Sequence, residues 1–589
     1  MWAPRAERAE LVVAGRRAAL TPVERGWFTA TAPAVDGDDY GFRLDGGPLR
    51  PDPASRRQPT GVHGLSRLVD PRRFAWSPAE AGWRGAPLAG AVVYELHVGT
   101  FTPARTFDAV AEHLPELADL GVTHVEVMPV NTFNGTHGWG YDGVGWYAVH
   151  EPYGGPAAFA RLVDACHRAG LSVVLDVVYN HLGPSGNYLP DFGPYLTDRY
   201  ATPWGPALNL DGPGSDPVRA FVVDNALMWL ADYHVDALRL DAVHGLIDTS
   251  ALPILTELSA AVEALAVRSC RPLQIMAESD RCDPLTVRPR ALGGTGLDGQ
   301  WADDLHHAVH SALTGERDGY YVDYRGLRDV AETYRRGFLF DGRYSVYRQR
   351  TVGAPLGDTP GHRLVGCVQN HDQVGNRAFG ERLTALVDPA LARIAALLLC
   401  AAPHTPLLFM GEEYGETNPF LYFTSHPEPE LAEAVRAGRR DEFARFAAFA
   451  ADVPDPQDPA TLGRSTLERS RARTPEGRAR RALWADLLML RRQQPALANG
   501  RRDLVEVLAA GDETLLLARR DPTSPPLLVA ANLGDAVVAL PAPAGDGWAP
   551  LLDTGHARSG GAGAAARHDP AGRALRVGPR SAVLWTGRY

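Results

Sequence analysis

From position 91 onward, short runs of nearly unbroken apolar residues alternate with longer stretches in which apolar positions return every three or four residues. The runs fall at 91–98, 123–128, 171–178, 236–240, 273–277, 364–368 and 406–410, and 298–301 makes a weaker eighth, supported by its place in the series. Between them, 107–120, 156–169, 218–233 and 389–401 carry helical periodicity. Strands apolar on both faces belong to a parallel sheet covered by helices, and eight strand–helix units predict an α/β fold of the (β/α)8 TIM-barrel type rather than an open doubly wound sheet.

The flanks read differently. Strand candidates at 10–13, 26–30 and 40–44, broken by Gly, Pro and Asp, predict an N-terminal β-sandwich module, carbohydrate-binding-like, over 1–88. The barrel is expected to span 89–498, interrupted by an extended loop at about 179–217 that is rich in Gly, Pro, Tyr and Asn. Strand candidates at 514–518, 527–531 and 581–585, with a Gly/Ala-rich loop at 560–566, predict a C-terminal antiparallel β domain over 499–589. No repeat of 20–50 residues occurs beyond the strand–helix alternation.

Composition removes several function classes. A net charge of −11, with no basic run interleaved with aromatics, argues against a nucleic-acid partner. The chain contains no lysine, so all 59 cationic side chains are arginine and mechanisms needing an amine nucleophile or a P-loop lysine are closed. Five scattered cysteines without a C-x-x-C pair point to a reduced, cytoplasmic setting. The opening residues lack the apolar core of a signal peptide, and no apolar run of 18 residues occurs, so neither secretion nor a membrane is expected.

Three acidic signatures close strand-like runs: Arg-Leu-Asp at 239–241, Ala-Glu-Ser-Asp at 277–280 and Asn-His-Asp at 370–372. Alternation along a strand puts Arg239 and Asp241 on one face, where a guanidinium favours an ionised, oriented carboxylate; an ordinary buried ion pair would read the same way. Glu278 follows a run too apolar to end in a casual charge, and a carboxyl near a second carboxylate has its pKa raised, as a proton donor requires; a solvated strand-end glutamate remains the other reading. The polar run around Asp372 is harder to explain by packing. A carboxylate nucleophile and a carboxylic acid flanking one bond are what glycoside hydrolysis needs.

With Asp-Val-Val-Tyr-Asn-His at 176–181 added, these segments resemble the four short regions of the α-amylase clan, family 13 of the glycoside hydrolases, in the family's order. That resemblance implies that Asp241 is the nucleophile, Glu278 the acid and then base, and Asp372 the group that holds the sugar's 2- and 3-hydroxyls. It implies that Arg239 positions Asp241, that His181 and His371 bond the sugar at the point of cleavage, and that Tyr141, in Trp-Gly-Tyr-Asp at 139–142, stacks on it. Asp142 is expected to pair with Arg239, while Trp139, His244 and Asn370 complete the substrate-binding set. Asn180 matches a calcium-ligand position of some amylases, but no acidic cluster accompanies it, so neither a metal nor a cofactor is expected.

Longer stretches, at 94–102, 209–216, 300–307, 376–382, 409–414 and 419–424, resemble the maltooligosyltrehalose trehalohydrolase group of that clan. The resemblance implies cleavage of the α-1,4 bond next to a terminal trehalose, and a maltooligosyltrehalose synthase as pathway partner. A glucan-branching or debranching enzyme would share the catalytic residues, and a non-catalytic α-glucan-binding protein would share the fold. The chain opens at Trp2-Ala3-Pro4, a point that follows an opening strand in similar proteins, so the N-terminal module is expected to lack an edge strand. Trp204, Trp301, Tyr414 and Phe423 are candidates for the leaving-group side, and His306, His307 and His310 are read as solvent-facing or substrate-loop histidines rather than metal ligands. Gly-Thr-Gly-Leu-Asp-Gly at 294–299 lacks the strand before it that a dinucleotide site needs.

Overall fold

Eight parallel strands close into a barrel in the computed structural model, which describes all residues except 445–452, 544–546, 562, 564–565, 571–572 and 588–589. They are β1 (Val93–Leu96), β2 (His124–Val127), β3 (Ser172–Val177), β4 (Ala237–Leu240), β5 (Gln274–Ala277), β6 (Gly299–Trp301), β7 (Leu364–Cys367) and β8 (Thr405–Phe409), each beside its sequence neighbour, with Leu407 of β8 opposite Val93 of β1. The weak eighth run is thus a true strand.

Because side chains alternate along a strand, residues two apart share the barrel interior. Val93, Val174 and Ala237 belong to an apolar cluster there with Met276, Trp301, Val365 and Leu407. Two residues further toward the C-terminal ends stand Glu95, Asp176 and Arg239, all essentially buried. One layer of the interior is therefore packing, and the next is charge.

Helix Gly155–Arg168 lies close to its predicted span, and helix Pro389–Ala401 matches it, with the Asp388 side chain accepting the Ala390 N–H at its start. The single helix expected over 107–120 is two, Phe107–Ala111 and Leu114–Leu120. Pro115 has no N–H to donate back to residue 111 and fits the first turn of a new helix instead.

At the N-terminal end, Arg16–Ala19, Ala9–Val13, Asp39–Leu44 and Leu49–Arg50 form an antiparallel sheet, with Ser66–Arg67 also paired to Asp39–Leu44. The strand expected at 26–30 is only Phe28–Thr29, paired with Thr21–Pro22. The long segment after β3 contains helix Leu189–Phe192 and the hairpin Leu196–Thr202 with Gly205–Leu208. Beyond the barrel, Val505–Ala510, Thr514–Asp521, Ser524–Asn532, Ser581–Thr586 and Ala549–Asp553 build one antiparallel sheet, and Val538–Pro541, Ala574–Val577 and Arg567–Asp569 a second. Part of the expected Gly/Ala loop, 562 and 564–565, lies outside the described residues.

The segment before β1 is fastened beneath the barrel by a polar cluster. Asp236, just before β4, accepts hydrogen bonds from Trp83 Nε1 (2.8 Å), His167 Nε2 (2.9 Å), the Val173 amide (2.8 Å) and Arg271 Nη2 (2.6 Å). The other nitrogen of His167 meets Glu80 at 2.6 Å, and Glu80 also takes His234 at 2.7 Å. Among the described residues, no helix is long and apolar enough to cross a membrane.

Candidate active site

The charged interior layer opens at the C-terminal ends of the strands, where a barrel's functional groups gather. Asp241 is the first residue after β4, and its amide still bonds the Val177 carbonyl of β3 at 3.0 Å, so its position is set by the sheet. Glu278 is likewise the first residue after β5, its amide on Leu240 O at 2.9 Å. Asp372 lies in the short helix His371–Gly375 after β7, which Asn370 caps by accepting the Gln373 N–H at 2.8 Å.

Arg239 joins the first two. Its Nη1 donates to Asp241 Oδ1 at 2.8 Å and to both oxygens of Asp176 at 2.9 Å, and its Nη2 lies 3.5 Å from Glu278 Oε2. The guanidinium is fully buried, 4.4 Å above the ring of Trp301. Asp142, expected to be its partner, is not: it lies 3.7 Å from His426. Asp176 takes that place because β3 and β4 pair in register with Asp176 opposite Arg239, on the same interior face.

A second link between nucleophile and acid runs through the backbone and ends in a hydrogen bond. Ala242, immediately after Asp241, donates its amide N–H to Glu278 Oε2 and itself adopts a left-handed conformation (φ 38°, ψ 54°). For an alanine that backbone costs about 1–2 kcal/mol, a strain of the kind found at functional sites.

The electrostatics separate the groups. Burial, reinforced by Asp241 and Asp372 and opposed by Arg239, pushes the Glu278 carboxyl up to about 8, so it keeps its proton at neutral pH. Burial alone would keep the His371 imidazole neutral, but Asp372 and Glu95 outweigh it and raise it to about 9. His371 is therefore an imidazolium. Its Nδ1 donates to Glu95, its backbone N–H donates to the same carboxylate at 3.0 Å, and its Nε2 donates to the Tyr141 hydroxyl at 2.7 Å. Tyr141 passes the chain on to Asp176 Oδ2 at 2.6 Å. One line of hydrogen bonds runs from Glu95 through His371, Tyr141, Asp176 and Arg239 to Asp241.

The structure brings Asp241, Glu278, Asp372, Arg239, Tyr141 and His371 into one connected set. His181 borders it, bonded by Nε2 to the Tyr141 carbonyl at 3.0 Å, held neutral by burial and stacked at 5.1 Å on Trp204, which also lies 6.1 Å from His244. Trp139 is buried behind Tyr141, stacked on Phe420 at 5.2 Å with its indole N–H on Leu421 O. Tyr414 and Phe423 are core residues, and Trp301 is a floor under Arg239 rather than an exposed platform. His306, His307 and His310 are buried too, not solvent-facing; His306 bonds the Val368 carbonyl and His310 bonds Glu316. No group of three His, Cys, Asp or Glu able to hold a metal ion occurs among the described residues.

Three carboxyls escaped the sequence reading. Glu95 holds His371. Glu126 faces it from β2, buried and pushed far above the usual carboxylate range by burial and by Glu95, with neither oxygen partnered. Asp303 begins the helix after β6, and burial together with Asp372 and Asp304 pushes it up to about 7. The signal for the first two was an acidic residue inside an apolar run.

Residues 71–193 match the family model for the alpha-amylase catalytic domain. A putative alpha amylase from Salmonella typhimurium of known structure superposes with a TM-score of 0.90 at 37% identity, covering 100% of this chain and 97% of that one. The malto-oligosyltrehalose trehalohydrolase of Rhizobium sp. (strain M-11) is 52% identical over 85% of both chains. That of Arthrobacter ramosus is 54% identical over 508 residues, 85% of this chain and 88% of its own length. Identity at that level over more than four fifths of both chains means that the chain belongs to the malto-oligosyltrehalose trehalohydrolase family.

Proposed function

We propose that this protein is a retaining α-glycoside hydrolase that cuts the α-1,4 bond next to the terminal trehalose of maltooligosyltrehalose. The observation that carries the reading is the pairing of two carboxyls in opposite protonation roles on one guanidinium: Asp241 at 2.8 Å from Arg239, and Glu278 at 3.5 Å with its pKa near 8. In this reaction Asp241 attacks the anomeric carbon while Glu278 gives its proton to the departing O4 of trehalose. Asp372 binds the 2- and 3-hydroxyls as positive charge develops on the ring, and the His371 imidazolium and Tyr141 line the same sugar. A glycosyl ester on Asp241 results. Glu278, now ionised, takes a proton from water, which attacks the ester and restores both groups. The sharing of one guanidinium by the two carboxyls, which holds them near each other, supports retention, the outcome of a closely spaced pair.

The substrate assignment is supported by the trehalohydrolase relatives. The reaction supplying the substrate is then the one that makes the terminal 1,1-linkage, a maltooligosyltrehalose synthase. A cytoplasmic setting is supported by five unpaired cysteines. Offering the protein maltooligosyltrehalose, maltooligosaccharides and amylopectin in parallel tests the reading. Trehalose from the first, with the α-anomer as the initial reducing product, is expected; altered branching without trehalose, or an inverted anomer, would sink it.

A further inference from the structure

A cavity of about 380 Å³ lies at the seam between the barrel and the C-terminal sheets, and no residue of the catalytic set lines it. Helix Pro389–Ala401 supplies one wall and the start of helix Pro475–Gln493 another, while Gly415, after β8, and Ser559, in the C-terminal domain, close it. Three arginines line it, Arg393, Arg471 and Arg480, against one carboxylate among the described residues of its walls, the exposed Glu476. In a chain of net charge −11 that is a local reversal of sign.

These cations are not neutralised from within the fold. A guanidinium packed into a protein ordinarily meets a carboxylate, but here the partners are backbone carbonyls. Arg393 Nε donates to Thr554 O at 3.0 Å and Arg480 Nε to Glu412 O at 3.2 Å, and Arg471 Nε is buried with no hydrogen-bond partner among the described residues. The carboxyls nearby are engaged elsewhere. Asp388 pairs with Arg580 at 3.5 Å and accepts the Ala390 N–H, Glu412 accepts the Phe409 N–H at 3.1 Å, and Glu413 accepts the Tyr94 hydroxyl at 3.1 Å. Burial, opposed by Glu412 and joined by Arg393, brings the Arg480 guanidinium down to about 10, so it stays charged at neutral pH but short of counter-charge. Its place is built in: Gly415, at φ +76°, leaves room for the Arg480 chain, where a Cβ would come within 3.0 Å of the arginine Cδ.

We propose that this cavity binds a phosphate group, as the free dianion or as the monoester of a small metabolite, with Arg393, Arg471 and Arg480 on the phosphate oxygens. A guanidinium fork meets two such oxygens at once, and it is more weakly hydrated than an ammonium, so it exchanges water for such a ligand at less cost. The first turn of the 19-residue helix Pro475–Gln493, which brings Thr474 and Glu476 to the wall, adds the positive end of a helix. The volume lies within the range of small-molecule sites and leaves space beside the phosphate for an esterified group. Because the walls come from the barrel and from the C-terminal domain, the ligand bridges the seam and stabilises the folded chain.

The test is calorimetric titration of the full chain with inorganic phosphate and with glucose 6-phosphate, beside chloride at matched ionic strength. Binding of at least one phosphate species, with a melting temperature that climbs with its concentration, is expected; the tighter of the two tells whether the cavity takes the free ion or the ester. Arg393→Gln and Arg480→Gln should each weaken that binding by about tenfold or more, the scale of one charge-assisted hydrogen bond. Arg393 is half-buried and its Nε bonds only Thr554 O, so its variant answers the question if Arg480→Gln fails to fold. Phosphate species bound no better than chloride, or wild-type affinity in a folded arginine variant, overturn the proposal. Trehalose release is measured separately, and its failure leaves this site untouched.

Discussion

Strand β4 has a buried carboxylate at each end, and the two have opposite fates. Asp236 below it receives four donors, and although burial opposes ionisation, His167 and Arg271 bring its carboxyl below the usual range. At the other end, Asp241 takes one strong bond from Arg239, and its neighbour Glu278 is left with its proton. Burial is similar; the number of donors is not. A carboxylate whose lone pairs are all occupied is a fastening, and one with lone pairs to spare is a reagent.

The largest effect should come from the reagent end. Asp241→Asn is expected to lower kcat by about 10⁴-fold or more with an unchanged melting temperature, read by steady-state kinetics and calorimetry; near-normal turnover would erase the distinction between the two ends. Glu278→Gln should cost about 10²–10⁴-fold on maltooligosyltrehalose and far less on α-maltosyl fluoride, whose departure needs no proton. Wild-type activity should also fall as pH rises through about 8, where Glu278 loses its proton, and the variant should lack that limb.

At the fastening end the sign of the experiment changes. Asp236→Ala is expected to lose about 3–5 kcal/mol of stability, because His167 and Arg271 are left without their shared partner, while kcat/KM measured well below the melting point stays within twofold. Burial disfavours the His167 imidazolium, but Asp236 and Glu80 raise its pKa above the ordinary value, so its contribution is full below about pH 6.5 and fades as pH rises through the folded value. Asp236, with its pKa lowered, contributes above about pH 3.8 and loses that as pH falls through its folded value. The gap between wild type and variant should therefore be widest between roughly pH 4 and 6.5. A smaller effect should follow Glu95→Gln: about tenfold in kcat, the scale of one charged hydrogen bond, with the His371 proton resonance titrating at lower pH. A His371 that titrates as before would remove Glu95 from the line leading to Asp241.

The contrast also explains what the sequence could say. Strand existence and order were legible, because eight apolar runs with helices between them have one economical closure. Asp241, Glu278 and Asp372 were legible because each ends or follows such a run. Register was not. The resemblance pairs Asp142 with Arg239, whereas the partner is decided by which residue of β3 lies opposite Arg239, and that is Asp176. Glu95 and His371 are 276 positions apart and meet only when β1 and β7 are placed on the same wall. Trp139, Tyr414 and Phe423 carry the same letters as a sugar platform and as a core, and burial alone tells these apart.

The bend at Ala242 has a consequence for how such an enzyme can change. One peptide unit follows the attacking group and donates to the proton donor, so the two reacting carboxyls are tied by backbone as well as by the Arg239 side chain, and substitution can remove only the second tie. Substitution meets less constraint away from that peptide, at exposed positions such as Tyr344 and Val346 on the hairpin Asp341–Ser345 with Arg350–Gly353. A site built this way divides its labour between an unadjustable centre and a negotiable rim.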